Sequence, residues 1–289
     1  MGRIKRCLSI LLLLCVVGIG ITLNMSAHCL TVTHYSLNTP KMTAPIRVVH
    51  LTDLHNSEFG KDNRRLVSLV EQQKPDLILM TGDMLNGYEQ TTEVAERLVE
   101  RLSQTAPVYF SYGNHEQKHE KAFDSDLGML FSQAGAVVLE KEYADIKVKG
   151  QALRIGGMYG YALPEKYLTS GEAEKSECLF LSEFEQTQRL TVLLTHLPNS
   201  WILNDNLDEW RIDGIFCGHT HGGQIRIPKV GGVYAPGFDF FPGDLCGLYP
   251  SQDARSVMVL SRGLGTSQPL PRVNNVPEIV VVDFVPQEW

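Results

Sequence analysis

The chain has 289 residues, 43% hydrophobic and 20% charged, with a formal net charge of −7, enough for one large domain or two small ones with a substantial core. The first 41 positions carry Arg3, Lys5, Arg6 and Lys41 and no acid, so the remainder holds 22 cations against 33 acids, a net of −11. Such a surface repels nucleic-acid phosphates, so no nucleic-acid partner is expected and a nuclease is disfavoured.

Three cations precede an apolar stretch from Cys7 to Leu23, about the length that crosses a bilayer as a helix. A cleaved signal peptide starts the same way, but Met25-Ser26-Ala27 is a poor small-x-small cleavage site. Residues 1–27 are therefore read as an uncleaved membrane anchor, with a secreted chain as the alternative. Cations before the segment and few after it predict a single-pass topology, N-terminus cytoplasmic and the rest extracytoplasmic. Residues 28–44 read as a tether and 45–289 as one domain, with no linker composition inside it. Six cysteines without a C-x-x-C spacing indicate neither a zinc ribbon nor a disulfide framework.

From Ile46 short apolar runs alternate with amphipathic stretches. IRVVHL (46–51) is β-branched and short, a buried strand. Asp62-Asn63 opens a helix with Leu66, Val67, Leu69 and Val70 on one face, ended near Pro75. DLILM (76–80) is the next strand. Val94, Leu98, Val99 and Leu102 mark a second helix, PVYFSY (107–112) a third strand, and a helix is expected over about 118–134. AVVL, ADIKV and LRIGGM read as strands, and the acid-rich 171–189 stretch as an exposed helix. LTVLLT (190–195) and GIFC (214–217) are buried strands, followed by QIRIP, SVMVLS and EIVVVDF. Residues 228–250 form a long loop whose aromatics, Phe240 and Phe241 among them, suit a sheet-edge cover, a substrate wall or a membrane contact. Strand–helix alternation followed by a strand-rich half predicts an α/β protein with helix-covered sheets.

Each of the five strongest strands is followed at once by groups that bind metals. Asp53 and His55 follow the first, Asp83 the second, and Asn114, His115 and Glu116 the third; His196 follows LTVLLT, and His219 and His221 follow GIFC. Ligand sites in open α/β sheets sit outside the carboxyl ends of strands, so these five ends are expected to converge. Asp, His and a neutral Asn together suit Mn, Fe, Zn, Co or Ni. Six or seven ligands with one carboxylate free to bridge imply two divalent ions, about 3.5–4 Å apart. The glycines around His219 and His221 are expected to let the backbone turn and approach a metal-bound substrate. Other candidates read more plainly: His50 as a core histidine, His119 as a solvated face residue, Cys217 as a buried inert thiol. Arg262, in SRGLG, is a candidate substrate-phosphate contact or a structural loop residue.

The order D-x-H, G-D, G-N-H-E, H, G-H-x-H, spread over about Ile46 to Phe284, resembles the calcineurin-like metallophosphoesterases. GHTHGGQ and SRGLGTS…PEI are similar to the membrane-anchored YkuE/YaeI-type branch. The resemblance implies a four-layer β-sandwich flanked by helices, behind an N-terminal transmembrane helix. It implies Asp53, His55 and His221 at one metal, Asn114, His196 and His219 at the other, and Asp83 bridging both. His115 would be catalytic, contacting the phosphate and stabilising or protonating the leaving oxygen. Asn86 and Asn199 stand where the family often has an acid. The implied function is a binuclear metal-dependent phosphohydrolase for phosphoester or pyrophosphate bonds of a lipid-linked or membrane-associated substrate. A phospholipid and a UDP-2,3-diacylglucosamine-type molecule both fit, although the latter would be cytoplasmic, against the topology above. The rival readings are a nuclease and a non-catalytic metal-binding membrane scaffold; the scaffold predicts lost ligands or a lost His115.

Overall fold

The strand-like runs assemble into two six-stranded sheets. The structure, a computed structural model, describes residues 2–160, 166, 178–203, 206–243, 245–267 and 270–287. The first sheet contains β1 (Thr31–Thr39), β2 (Ile46–Leu51), β3 (Leu77–Met80), β4 (Val108–Phe110), β5 (Ala136–Val138) and β14 (Glu278–Pro286), in the order β1-β14-β2-β3-β4-β5. The second contains β6 (Glu142–Val148), β7 (Gln151–Met158), β8 (Leu190–Thr195), β9 (Gly214–Cys217), β12 (Gly247–Pro250) and β13 (Val257–Leu260), in the order β12-β13-β9-β8-β7-β6. A short hairpin, β10 (Arg226–Ile227) and β11 (Gly231–Gly232), stands apart.

The central strands are parallel and buried on both faces, which is why β3 reads as an unbroken apolar run and β2 and β8 as largely apolar ones. The faces between the sheets share one core, with Val48, Leu77, Leu79 and Val282 meeting Ile155, Val192, Phe216 and Val259. The outer face of the first sheet packs on α2 (Arg64–Gln72), α3 (Glu93–Ser103) and α5 (Leu127–Gln133) through Leu66, Val70, Leu98, Leu102 and Phe131. The outer face of the second is covered by α6 (Leu179–Phe184), by Trp201 of α7 (Asn199–Leu203) and by Trp210. The result is a helix–sheet–sheet–helix sandwich. Because β2, β3 and β4 run parallel, as do β7, β8, β9 and β13, each sheet delivers several strand carboxyl ends to one edge.

Three expectations change. Residues 28–44 are not a tether: β1 lies there, pairing with β14 from Thr31↔Glu278 to Thr39↔Pro286. Its polar, half-exposed pattern is that of an edge strand, so it lacks the apolar signature of the central ones. Only Cys29 and Leu30 separate it from the apolar helix α1 (Gly2–His28). The helix expected over about 118–134 is two, α4 (Asn114–Phe123) and α5, broken at Asp124, whose φ is +50°. α4 starts early enough to carry Asn114 and His115 in its first turn. Of the expected acidic helix over 171–189, residues 171–177 lie outside the described residues; among the rest, α6 is helical and buries Leu181 and Phe184.

Candidate metal centre

The loops after β2, β3, β4, β8 and β9 meet at one edge of the sandwich. Backbone bonds lock the first two together, from Asp53 N–H to the Gly82 carbonyl and from His55 N–H to the Asp83 carbonyl, each 3.0 Å. The third joins with no side chain between: a Cβ on Gly82 would lie 2.0 Å from the Gly113 nitrogen, and one on Gly113 would lie 2.3 Å from Asp83 Oδ1. The loop after β9 reaches across from the other sheet. Both Asp53 carboxylate oxygens accept the His219 N–H at 3.1 Å, and a Cβ on Gly218 would stand 2.4 Å from Asp53 Oδ2. Glycine here serves loop-to-loop packing. The same correction applies to Gly222 and Gly223, whose absent Cβ atoms face Arg262 and Gly232 rather than a substrate space.

This packing gathers Asp53, His55 and His221 into one group with ligand atoms within 4.8 Å of one another, and Asp83, His196 and His219 into a second. Asp83 also groups with His55 and His115, so its carboxylate lies between the two sets. Its Oδ2 is 3.1 Å from His196 Nε2, 3.7 Å from His55 Nε2 and 4.0 Å from His115 Nε2, while Oδ1 accepts the His115 N–H at 2.8 Å. His196 Nδ1 donates to the Thr81 carbonyl at 2.7 Å, so Nε2 is the nitrogen that faces the cluster. Asp53, His55, Asp83, His219 and His221 all have positive φ, a costly backbone for residues with side chains and typical of functional sites.

Burial pushes most of these groups toward neutrality. It lowers His55 and His219 to about 3 and His221 well below its usual value, and it raises Asp53 to about 6. His196 is opposed by burial but carried up to about 9 by Asp83 and Asp53. Asp83, likewise opposed by burial, is held well below the carboxylate range by His196.

Both ring nitrogens of His55, Asn114 Oδ1 and His196 Nε2 are buried without a hydrogen-bond partner. Native interiors rarely leave so many polar atoms unpaired in one place. Asn114 Oδ1, one nitrogen of His55 and, once deprotonated, His196 Nε2 can each offer a lone pair, so the residues fit bound divalent cations.

His115 receives the Gly87 N–H on its Nδ1 at 2.9 Å. Arg262 faces away from the cluster's needs: its guanidinium pairs with buried Glu278 at 2.9 Å and its backbone N–H donates to the same carboxylate. His119 is buried, not solvated, and is held between Ser125 Oγ and the Gln90 carbonyl. His50 is buried against Thr81 Oγ1 at 2.7 Å, and Cys217 is buried with its thiol pKa pushed up.

Two residues have supporting roles that sequence reasoning did not assign. Glu116, fully buried, accepts the backbone N–H groups of Asp83, Met84 and Gly113 at 2.7–2.8 Å, joining the second and third loops. Its place three residues after Gly113 is a capping-box position, a signal that was available. Arg272 is also buried; it donates to the Gly265 carbonyl and lies 3.3 Å from His221 Nδ1. Nothing in its local sequence announces that role.

The sequence profile of the calcineurin-like phosphoesterase family matches residues 46–223. The chain is 27% identical over 245 residues to the phosphodiesterase YaeI of Escherichia coli (strain K12), covering 84% of this chain and 83% of that protein. It is 26% identical over 236 residues to the metallophosphoesterase YkoQ of Bacillus subtilis (strain 168), covering 81% and 82%. With the metallophosphoesterase YkuE of the same bacterium it shares 23% over 272 residues, covering 91% and 88%. Among solved structures, a dimetal phosphatase from Danio rerio superposes with a TM-score of 0.46 at 12% identity, over 75% of this chain and 87% of that one.

Proposed function

The chain belongs to the calcineurin-like phosphoesterase family, hydrolases of phosphoester bonds, and from that premise we propose a two-metal phosphohydrolase acting on a lipid-linked substrate at a membrane surface. Asp53, His55 and His221 would hold one ion, Asn114, His196 and His219 the other, and Asp83 would serve both. When bound, two divalent ions neutralise phosphoryl charge and activate water for attack. The observation that carries this reading is the set of buried polar atoms without a hydrogen-bond partner on His55, Asn114 and His196, two of them 3.7 and 3.1 Å from Asp83 Oδ2.

His115 works by hydrogen bonding. A backbone N–H only donates, so Nδ1 of His115 is an acceptor and the ring proton sits on Nε2. Burial lowers its pKa in the same sense. The neutral ring offers Nε2–H to a phosphoryl or leaving oxygen, and complete transfer would leave an unfavourable imidazolate. It acts there as an oxyanion-type donor.

The lipid half of the proposal rests on α1. Its segment Arg6–His28 is apolar and long enough to span a bilayer. Near its end, Ser26 Oγ accepts the Asn275 N–H, and the Asn275 side chain donates to the His221 carbonyl at 2.6 Å. The exposed apolar residues Ile227, Val230, Phe240 and Phe241 belong to the loops beside that junction. An uncleaved anchor would therefore set the metal-binding edge close to the headgroups, with the N-terminus cytoplasmic by the charge rule.

The test is hydrolysis of bis(p-nitrophenyl) phosphate by the detergent-solubilised full chain, stripped by chelator and reloaded with Mn, Zn or Fe. Metal-dependent turnover is expected, and higher turnover of a vesicle-borne phospholipid or lipid diphosphate than of its soluble headgroup. Bound metal without turnover of any ester would favour the scaffold reading.

A further inference from the structure

Beside the metal centre lies a cavity of about 380 Å³, lined by Asn114 and His219 of the centre itself, by Lys118 and Lys121, and by Tyr159 and Pro236. No carboxylate lines it among the described residues, although acids outnumber bases in the chain by 33 to 26. Asn114, Lys118 and Lys121 belong to one helix, α4, and stand at positions i, i+4 and i+7, which share a face. At ~1.5 Å per residue the lysines follow Asn114 by roughly 6 and 10 Å along the axis. Both are exposed, and neither makes an ion pair among the described residues.

Lys118 is also tied to the catalytic corner. Its Nζ lies 5.5 Å from the centre of the Tyr88 ring, and that ring stands edge-on to His115 at 5.8 Å. The cation is therefore a near neighbour of His115, the residue that would meet the leaving oxygen.

We infer that Lys118 and Lys121 form a subsite for a second phosphate on the leaving side, making the substrate a diphosphate whose leaving group is itself a phosphate monoester. This inference rests on the two-metal reading above. The chemistry is consistent with a neutral His115. A water oxygen bonds to the attacked phosphorus and the bridging P–O bond breaks, its electron pair going to the leaving phosphate. The proton from water passes to solvent. A phosphate leaves as a stable anion, so hydrogen bonding and lysine charge suffice where an alkoxide would demand a proton.

The test is calorimetric binding to the full chain with Mn in excess, comparing methylenediphosphonate, an uncleavable diphosphate, with methylphosphonate. The native protein is expected to bind the diphosphonate at least about tenfold more tightly, the scale of charge-assisted hydrogen bonds. In the Lys118→Ala/Lys121→Ala protein that preference should fall to within about twofold, while the Lys→Arg pair retains it. Lys147→Ala, on exposed β6, should leave it unchanged. Chelation of free Mn by the diphosphonate is common to all proteins and cancels in the comparison. An unchanged preference in the double alanine variant, or no preference in the native protein, overturns the subsite. Failure of either anion to bind the Mn-treated native protein would instead sink the two-metal reading.

Discussion

Gly87 and His115 are joined by one hydrogen bond, from the Gly87 backbone N–H to His115 Nδ1 at 2.9 Å, and that bond decides what His115 can do. With Nδ1 accepting, the reactive nitrogen carries its proton in the neutral ring, as a donor and not as a strong acid. His115→Ala should lower kcat by about 10²–10³-fold, the range for losing one oxyanion donor. The loss should be nearly the same for p-nitrophenyl and for poorer, alkyl-type leaving groups. A loss that grows steeply with leaving-group basicity would show full proton transfer and sink the donor account. Metal content by mass spectrometry should be unchanged in the variant.

Glu116 holds Asp83, Met84 and Gly113 by their amides, so it positions the carboxylate between the two ligand groups without touching a reacting atom. In Glu116→Gln one of the two acceptor oxygens becomes an amide that opposes the backbone donors. Metal affinity should fall about 10–100-fold, as for other residues that orient ligands. Competition with a chromogenic chelator reads this directly; an unchanged affinity would make Glu116 merely a helix cap.

The candidate ligands were legible because they follow apolar, parallel strands, as with Asp83 after β3 and His196 after β8. What supports them was not. Arg272 reaches His221 across 51 residues, and Thr33 of β1 reaches Glu278 across 245. The strand β1 hid for the same reason, since its partner β14 is distant in sequence and its own pattern is half polar. The positive φ angles at Asp53, His55, Asp83, His219 and His221 are imposed by loop packing around Gly82, Gly113 and Gly218, not by their own propensities. Arg262 kept two readings in the sequence because a cation near the motif was in view and its buried partner Glu278 was not.

Arg262 and Glu278 give a stability prediction that separates the two roles open to this arginine. Burial would raise the Glu278 carboxyl, but the hydrogen bond and charge of Arg262 hold it below its usual value. A depressed carboxyl stabilises the fold above its unfolded pKa, about 4.3, and that contribution is lost as pH falls through the lower folded value. Urea stability should therefore decline below about pH 4.5, less steeply in Glu278→Gln. Arg262→Ala strands a buried carboxylate and should cost about 3–5 kcal/mol. A raised KM with unchanged stability would instead make Arg262 a substrate contact.

Removing the metals should leave a weaker fold, because Asp53 and Asp83 are buried close together, their charges offset mainly by His196, with Arg272 also acting on Asp53. Ions at a hundredfold excess over their Kd contribute about 2.7 kcal/mol per site. Chelator-treated protein should melt several degrees lower and recover on adding Mn. The recovery should vanish in Asp83→Asn, the residue placed between both ligand groups. Coincident melting curves with and without chelator would argue against tight binding.

Phe240 and Phe241 are 71% and 58% exposed, and the Phe241 N–H bonds to the Val233 carbonyl, beside the β10–β11 hairpin whose Arg226 pairs with Val273. Two residues beyond Val273 lies Asn275, which meets Ser26 of the apolar helix. Hydrogen bonds thus relay from the aromatic loop to the end of α1, which only two residues separate from β1 at Thr31. Burying an aromatic ring in the headgroup–acyl boundary favours membrane contact by hydrophobic area. Phe240→Ser/Phe241→Ser should therefore lower kcat/KM for a lipid substrate in vesicles several-fold, with bis(p-nitrophenyl) phosphate turnover and melting temperature unaltered. An equal loss on both substrates would mean that the rings wall the metal site. No loss on either would remove the loop from substrate access.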